Sequence, residues 1–145
     1  MLHWSTPQQG EAWVKALVPQ LRRPCLVLLL GQLGAGKTQV SKWFLREMGI
    51  SDVASPTFAI HHVYPHAQGD IDHFDLYRLQ SDSELEDIGF WDVLSLNEGL
   101  VFVEWADRLP PEVWPKTWMQ LRVHLRQPVA GQDLREVDVQ LTPPS

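Results

Sequence analysis

Cysteine is nearly missing from the chain: Cys25 is its single thiol. An internal disulfide is therefore excluded, and a reducing compartment, the cytoplasm, is the natural setting. Long apolar runs are missing as well. The longest, residues 25–30, has six members, against roughly twenty needed to cross a bilayer. No basic stretch followed by an apolar one opens the chain, which speaks against a signal peptide. Basic residues are outnumbered, 12 against 18 acids for a net charge of −6, which argues against a surface that itself grips a nucleic-acid backbone. Asparagine occurs once, at Asn97, and is followed by Glu98. No repeat or low-complexity tract is seen. What is present is globular in kind, 44% hydrophobic and 21% charged. At roughly 100–200 residues per domain, residues 1–145 are expected to form one soluble domain with an ordinary core.

The net charge conceals an asymmetry. Residues 70–112 hold twelve acids and two bases, whereas residues 1–69 hold three acids and six bases. Thr6-Pro7 reads as an N-cap followed by proline at the first helical position. Ala12, Trp13, Ala16, Leu17 and Leu21 form the expected apolar face, and Pro19 ends or kinks the helix. Residues 25–30 read as a strand buried on both faces, as in a parallel sheet. Val40, Trp43, Phe44 and Met48 mark a second helix, closed by Gly49. Residues 58–64 and 71–77 are strand-like and joined as a hairpin through 65–69. Ser81 and Glu84 have capping-box spacing at the start of a short acidic helix. Residues 100–103 are a second buried strand that runs into Glu104. Alternation over 119–126 and 137–141 predicts half-buried, antiparallel strands. The fold class is α/β, with a parallel sheet core and flanking antiparallel strands and helices.

Gly31-Gln-Leu-Gly-Ala-Gly-Lys-Thr38 satisfies every fixed position of the phosphate-loop pattern, with a buried strand before it and a helix after it. The fold is thus P-loop NTPase-like. Glycines let backbone amides over Leu33, Gly34, Ala35 and Gly36 turn toward phosphate oxygens, and the following helix points its positive end at the anion. Lys37 supplies a cation to the terminal phosphates, and the Thr38 hydroxyl is a ligand for Mg2+. A carboxylate at the end of a neighbouring buried strand completes such a site. Glu104 is that group, as a metal ligand or as a group that orients the ligands, and Asp107 is a further candidate contact. Guanine-selective loops use an Asn-Lys-x-Asp segment, which Asn97-Glu98 does not provide, so adenine is the favoured base.

Four segments in order resemble the TsaE (YjeE) family: the loop Gly31–Thr38, then Ser55-Pro-Thr-Phe58, then His73-Phe-Asp-Leu-Tyr-Arg-Leu79, then Val103-Glu-Trp105. The resemblance spans about residues 26–108. The loop is generic, whereas the other three in that order and spacing are more specific. The resemblance implies an ATP- and Mg2+-dependent ATPase of bacterial tRNA threonylcarbamoyladenosine biosynthesis. It implies two partner proteins, TsaB and TsaD, whose complex transfers a threonylcarbamoyl group to the tRNA adenosine next to the anticodon. The ATPase sustains turnover of that complex and does not perform the transfer, so tRNA is reached through the partners. Carried over by residue, Thr38 and Glu104 would be the Mg2+ ligands and Thr57 would sit in a switch-like segment near the γ-phosphate. Asp75 would be a functional carboxylate near the nucleotide, and Trp105 a mobile aromatic beside it. The chain departs from the family pattern at Gln32, where aspartate is common. It departs again over Ser5-Thr-Pro-Gln-Gln-Gly10, where the family has a threonine in an acidic setting tied to the adenine end. No adenine contact is assigned.

The residues alone leave alternatives open. Thr57 is also an ordinary threonine before a strand, and Asp75 could be a structural ion pair with Arg78 or another base. Tyr77 reads as core with a tethered hydroxyl. His61, His62, His66 and His73 suggest zinc, but solvated or packed histidines are favoured. Cys25 reads as a small core residue. Trp91, Trp114 and Trp118 include a candidate partner patch, and the acidic helix is a solvated face or a dock for a basic partner. A small P-loop metabolite kinase, or a nucleotide-binding regulator without useful hydrolysis, are the competing functions.

Overall fold

The computed structural model describes residues 2–51 and 60–145. Ser55, Pro56, Thr57 and Phe58 lie outside them. A seven-stranded sheet carries the chain in the order β1-β7-β6-β2-β5-β4-β3. The strands are β1 (Leu2–Trp4), β2 (Cys25–Leu30), β3 (His61–Tyr64), β4 (Ile71–Asp75), β5 (Leu100–Glu104), β6 (Met119–Arg126) and β7 (Arg135–Thr142). The helices are α1 (Pro7–Leu17), α2 (Lys37–Glu47), α3 (Asp82–Asp87) and α4 (Phe90–Ser95).

β4, β5, β2 and β6 are mutually parallel, while β3, β7 and β1 pair antiparallel at the flanks. The α/β class with a parallel core is as the sequence predicts. One strand differs: β6, expected to be antiparallel, runs parallel to β2 and antiparallel only to β7. Alternation reports exposure of one face and says nothing about direction. Leu121, Val123 and Leu125 are buried, whereas Gln120, Arg122, His124 and Arg126 keep some exposure on the other face. The connection over 105–118 is long enough for the crossover that a parallel pair requires.

The two sheet faces bury separate clusters. Cys25, Val27, Leu29, Ile71, Leu100, Phe102 and Leu121 pack under α1 and α2 with Val14, Val40, Trp43 and Phe44. Leu26, Leu28, Phe74, Val101 and Val103 pack on the other face with Leu85, Phe90, Trp114 and Trp118. Trp114 and Trp118 are therefore core, while Trp91 is partly exposed. Cys25 is fully buried and its thiol is pushed up to about 12 by burial, as suits an inert packing residue.

Helix α1 begins as predicted, with the Thr6 hydroxyl accepting from the Gln9 amide and Pro7 in the first turn. Its inward face is different: Gly10 and Val14 are buried and Trp13 and Leu17 half-buried, whereas Ala12 and Ala16 are exposed. The spacing 10, 13, 14, 17 matches the helical repeat, and a glycine is needed because Trp43 lies against it. The Ser81 capping box does not form. Ser81 Oγ turns to Ser83 Oγ, and Glu84 accepts from the Gln80 amide. Strand β4 ends at Asp75, two residues short of the predicted end, because the Asp75 carboxylate accepts from the Tyr77 amide and turns the chain. Tyr77 accordingly leaves the core and is 44% exposed. Among the described residues, no helix is long and apolar enough to cross a membrane.

Candidate functional site: a phosphate loop facing two carboxylates

Because β2, β4 and β5 are parallel, their carboxyl ends open on one crevice, where ligands of open α/β sheets bind. The register sets Asp75 beside Glu104, and Glu104 beside Leu29, just before the loop. Gly31 starts the loop at φ 142°, and a Cβ there would stand 2.5 Å from the Leu125 carbonyl oxygen of β6. Glycine is thus required by the close approach of two backbones. The loop ends at α2, whose N-terminus opens on the crevice with Lys37 and Thr38 in its first turn.

Lys37 is 5% exposed. Its ammonium donates to the Gly31 carbonyl and, at 2.8 Å, to the Gln32 carbonyl, and it lies 3.9 Å from the centre of the Trp105 ring. Burial holds its pKa below the ordinary lysine value, against the opposing pull of nearby Glu104, Asp107 and Asp75. Thr38 Oγ1 donates to Glu104 Oε1 at 2.7 Å. Glu104 Oε2 accepts from His73 Nε2 at 2.6 Å and from Ser41 Oγ at 3.3 Å. His73 and Glu104 are each 1% exposed. Asp75 is half-buried, and burial raises its carboxyl pKa, with the Tyr77 amide bond opposing and the Glu104 charge adding to the rise.

Trp105 follows Glu104 in the left-handed region at φ 58°, where a bulky side chain costs about 1–3 kcal/mol unless its surroundings hold it. Its ring packs on Tyr77 with centroids 5.0 Å apart. Arg108 donates to the Tyr77 and Leu79 carbonyls and so ties the turn after β4 to the segment after β5. Asp107 is exposed on the turn Ala106–Arg108, near enough to Lys37 to influence its pKa. Leu33 is exposed at the loop tip and Ala35 is buried beneath it.

The structure therefore brings together Lys37, Thr38, Asp75 and Glu104, with Trp105 and Asp107 at the margin. Thr57 lies outside the described residues. The sequence reading missed three participants. Ser41 sits one helical turn after Thr38, and His73 two residues before Asp75 on the same strand face, so both had a periodicity signal. Arg135 had none: from β7 it donates to the Ala35 and Gly34 carbonyls, bracing the loop across 100 residues of chain. Of the other histidines, His61 pairs with Asp72 at 2.7 Å and stacks on Phe74.

A cavity of about 230 Å³ adjoins the loop at Gly36. Trp4, Thr6, Gly36, Gln39, Asp133 and Arg135 line it.

A phosphate loop at the carboxyl edge of a parallel sheet, facing a strand-end glutamate, places the molecule in the class of P-loop nucleotide-binding proteins. The profile of the family described as "Threonylcarbamoyl adenosine biosynthesis protein TsaE" matches residues 4–134. The chain belongs to the TsaE family. It is 36% identical over 140 residues to the tRNA threonylcarbamoyladenosine biosynthesis protein TsaE of Bacillus subtilis, covering 94% of this chain and 83% of that one. It is 35% identical over 111 residues to the protein of the same name from Rickettsia felis, covering 74% of this chain. The match spans 63% of the length of that relative and 59% of its Rickettsia conorii counterpart. The crystal structure of Bacillus subtilis YdiB superposes with a TM-score of 0.62 at 29% identity, covering 99% of this chain and 86% of that one.

Proposed function

We propose that the chain is a Mg2+-dependent ATPase of tRNA threonylcarbamoyladenosine formation that acts on a TsaB–TsaD complex and sustains its turnover. The observation that carries the Mg2+-nucleotide part of this reading is the 2.7 Å bond from Thr38 Oγ1 to Glu104 Oε1, and membership of the TsaE family supports the tRNA part. A hydroxyl and a carboxylate oxygen are hard donors of the kind magnesium accepts, so the residues fit that ion. Magnesium, when bound there with the nucleotide, would neutralise charge on the β- and γ-phosphate oxygens.

The chain's own groups do the rest. Loop amides and the α2 N-terminus hold the phosphates, and Lys37 exchanges its carbonyl partners for phosphate oxygens. Asp75 Oδ1 is taken by the Tyr77 amide, which leaves Oδ2 to hold the attacking water and accept its proton. With its terminal phosphate beside Glu104, a bound nucleotide would have room for its nucleoside in the cavity lined by Trp4, Gln39 and Arg135. Asp133 there is suited to accept from an adenine amino group. A single cysteine, Cys25, supports a cytoplasmic setting for this work. The acidic surface leaves tRNA to the partners.

The test is to follow phosphate release and tRNA threonylcarbamoylation with ATP, Mg2+ and tRNA, with and without the TsaB–TsaD pair. Multiple-turnover modification that needs this chain and its Lys37 supports the reading. Modification indifferent to the chain refutes it, and phosphate found on a metabolite with none released to water would assign a kinase instead.

A further inference from the structure

Glu104 is the last residue of β5 and almost without solvent. A buried carboxylate persists only where donors hold it, and its two oxygens are held differently. Oε1 takes the Thr38 hydroxyl and faces the loop. Oε2 takes the Ser41 hydroxyl at 3.3 Å and the much shorter His73 bond at 2.6 Å. His73 comes from the neighbouring strand β4, where it stands opposite Phe102 of β5 and His62 of β3. As the partner of a carboxylate, which only accepts, Nε2 is the donor of this bond. Its Nδ1 is buried with no partner among the described residues. Leaving a buried ring nitrogen unpaired costs stability. A side chain needed only to fill space between Ile71 and Asp75 would be apolar, so the imidazole is present for its bond to Glu104.

We propose that His73 is the positioning residue for Glu104: by holding Oε2, it keeps Oε1 directed at Thr38 and at the magnesium that accompanies the triphosphate. The inference rests on the Mg2+–nucleotide reading above. Without the His73 bond, the carboxylate must rotate toward water or rely on Ser41 alone, and either withdraws Oε1 from the loop. His73 is buried and acts through Glu104.

The experiment measures the affinity of the full chain for a non-hydrolysable ATP analogue in EDTA and in Mg2+, for the wild type, His73→Gln, His73→Asn and His73→Phe. The glutamine amide nitrogen reaches the place of Nε2, whereas that of asparagine lies nearer Nδ1. In the wild type, Mg2+ should strengthen binding. In His73→Asn and His73→Phe that enhancement should fall about tenfold, equivalent to about 1.4 kcal/mol, while His73→Gln stays within about threefold of the wild type. Affinity in EDTA should be common to all four. Binding of Mn2+ to the nucleotide complexes, read by electron paramagnetic resonance, should follow the same order. If His73→Phe does not fold, the glutamine–asparagine contrast decides. Enhancement in His73→Asn equal to wild type, or in His73→Gln no better than in His73→Asn, overturns the positioning role. A wild type whose binding ignores Mg2+ overturns the magnesium reading itself.

Discussion

Replacing Lys37 with methionine keeps the length and bulk of the side chain while removing its charge. In the free protein the ammonium is buried, donates to two loop carbonyls and lies over the Trp105 ring. Gln32 is exposed, so its carbonyl returns to water in the variant, and Gly31 is partly exposed. Loss of these bonds is offset by no longer burying a cation, so the free protein should change by no more than about 1 kcal/mol. For nucleotide binding the offset is only partial. A charged hydrogen bond to phosphate is worth about 1.5–3 kcal/mol. Part of that is exchanged for the carbonyl bonds given up, which leaves about a 10- to 50-fold loss of ATP affinity. Calorimetric titration with a non-hydrolysable analogue reads the second quantity, and thermal unfolding without nucleotide reads the first. There is also a pH signature. The folded-state pKa of Lys37 lies below the unfolded value, so the free protein gains stability as pH rises between the two. ATP affinity falls over the same alkaline window, as the ammonium is lost. Both trends should vanish in Lys37→Met. An affinity loss smaller than about threefold, or one matched by collapse of the free protein, would refute the assignment of Lys37 to phosphate.

Glu104→Gln should keep the fold and metal-free nucleotide binding but lose the Mg2+ enhancement, as titrations with and without EDTA would show. Glu104→Ala instead strands three buried or half-buried donors, Thr38, Ser41 and His73, and should destabilise the chain by about 3 kcal/mol or more in urea unfolding. For Asp75, burial raises the folded carboxyl pKa; the folded state then holds the proton more tightly, so stability is gained as pH falls toward the ordinary carboxylate range and lost as pH rises. Asp75→Asn should flatten the acid limb of the melting profile and leave neutral-pH stability equal or higher while phosphate release drops. A lower melting temperature with an unchanged profile would sink this. In α1, Gly10→Ala would place its Cβ well under 3.0 Å from Cζ3 and Cη2 of Trp43. Helix propensity favours alanine by up to about 1 kcal/mol, yet overpacking against a rigid indole costs about 1–3 kcal/mol, so the melting temperature should fall.

The site was legible in the sequence wherever chemistry depends on neighbours along the chain. Gly31–Thr38 is such a stretch, since amides, lysine and hydroxyl must follow one another to wrap a phosphate. Glu104 was legible because a strand-end acid after four buried apolar residues is a local pattern. Tyr77 was misplaced because the parity of a strand was extended past its end, where the Asp75 carboxylate captures the Tyr77 amide and turns the chain. The Ser81–Glu84 spacing permitted a capping box without compelling it, since Glu84 found the Gln80 amide one residue earlier.

The direction of β6, and the contacts that Arg135 and His73 make with distant segments, belonged to the tertiary structure. Alternation over 119–126 reported that one face of β6 is covered, a property that parallel and antiparallel strands share. Arg135 reaches the loop carbonyls only because β7 folds back on β6 and carries the far end of the chain beside α2. His73 meets Glu104 because β4 and β5 are parallel neighbours in one register. The sequence by itself determined which groups could hold a triphosphate, because that chemistry is written in consecutive residues. Only the packed sheet decided which groups hold those residues in place, because a hydrogen bond across 31 residues of chain exists in the fold and nowhere in the order of amino acids.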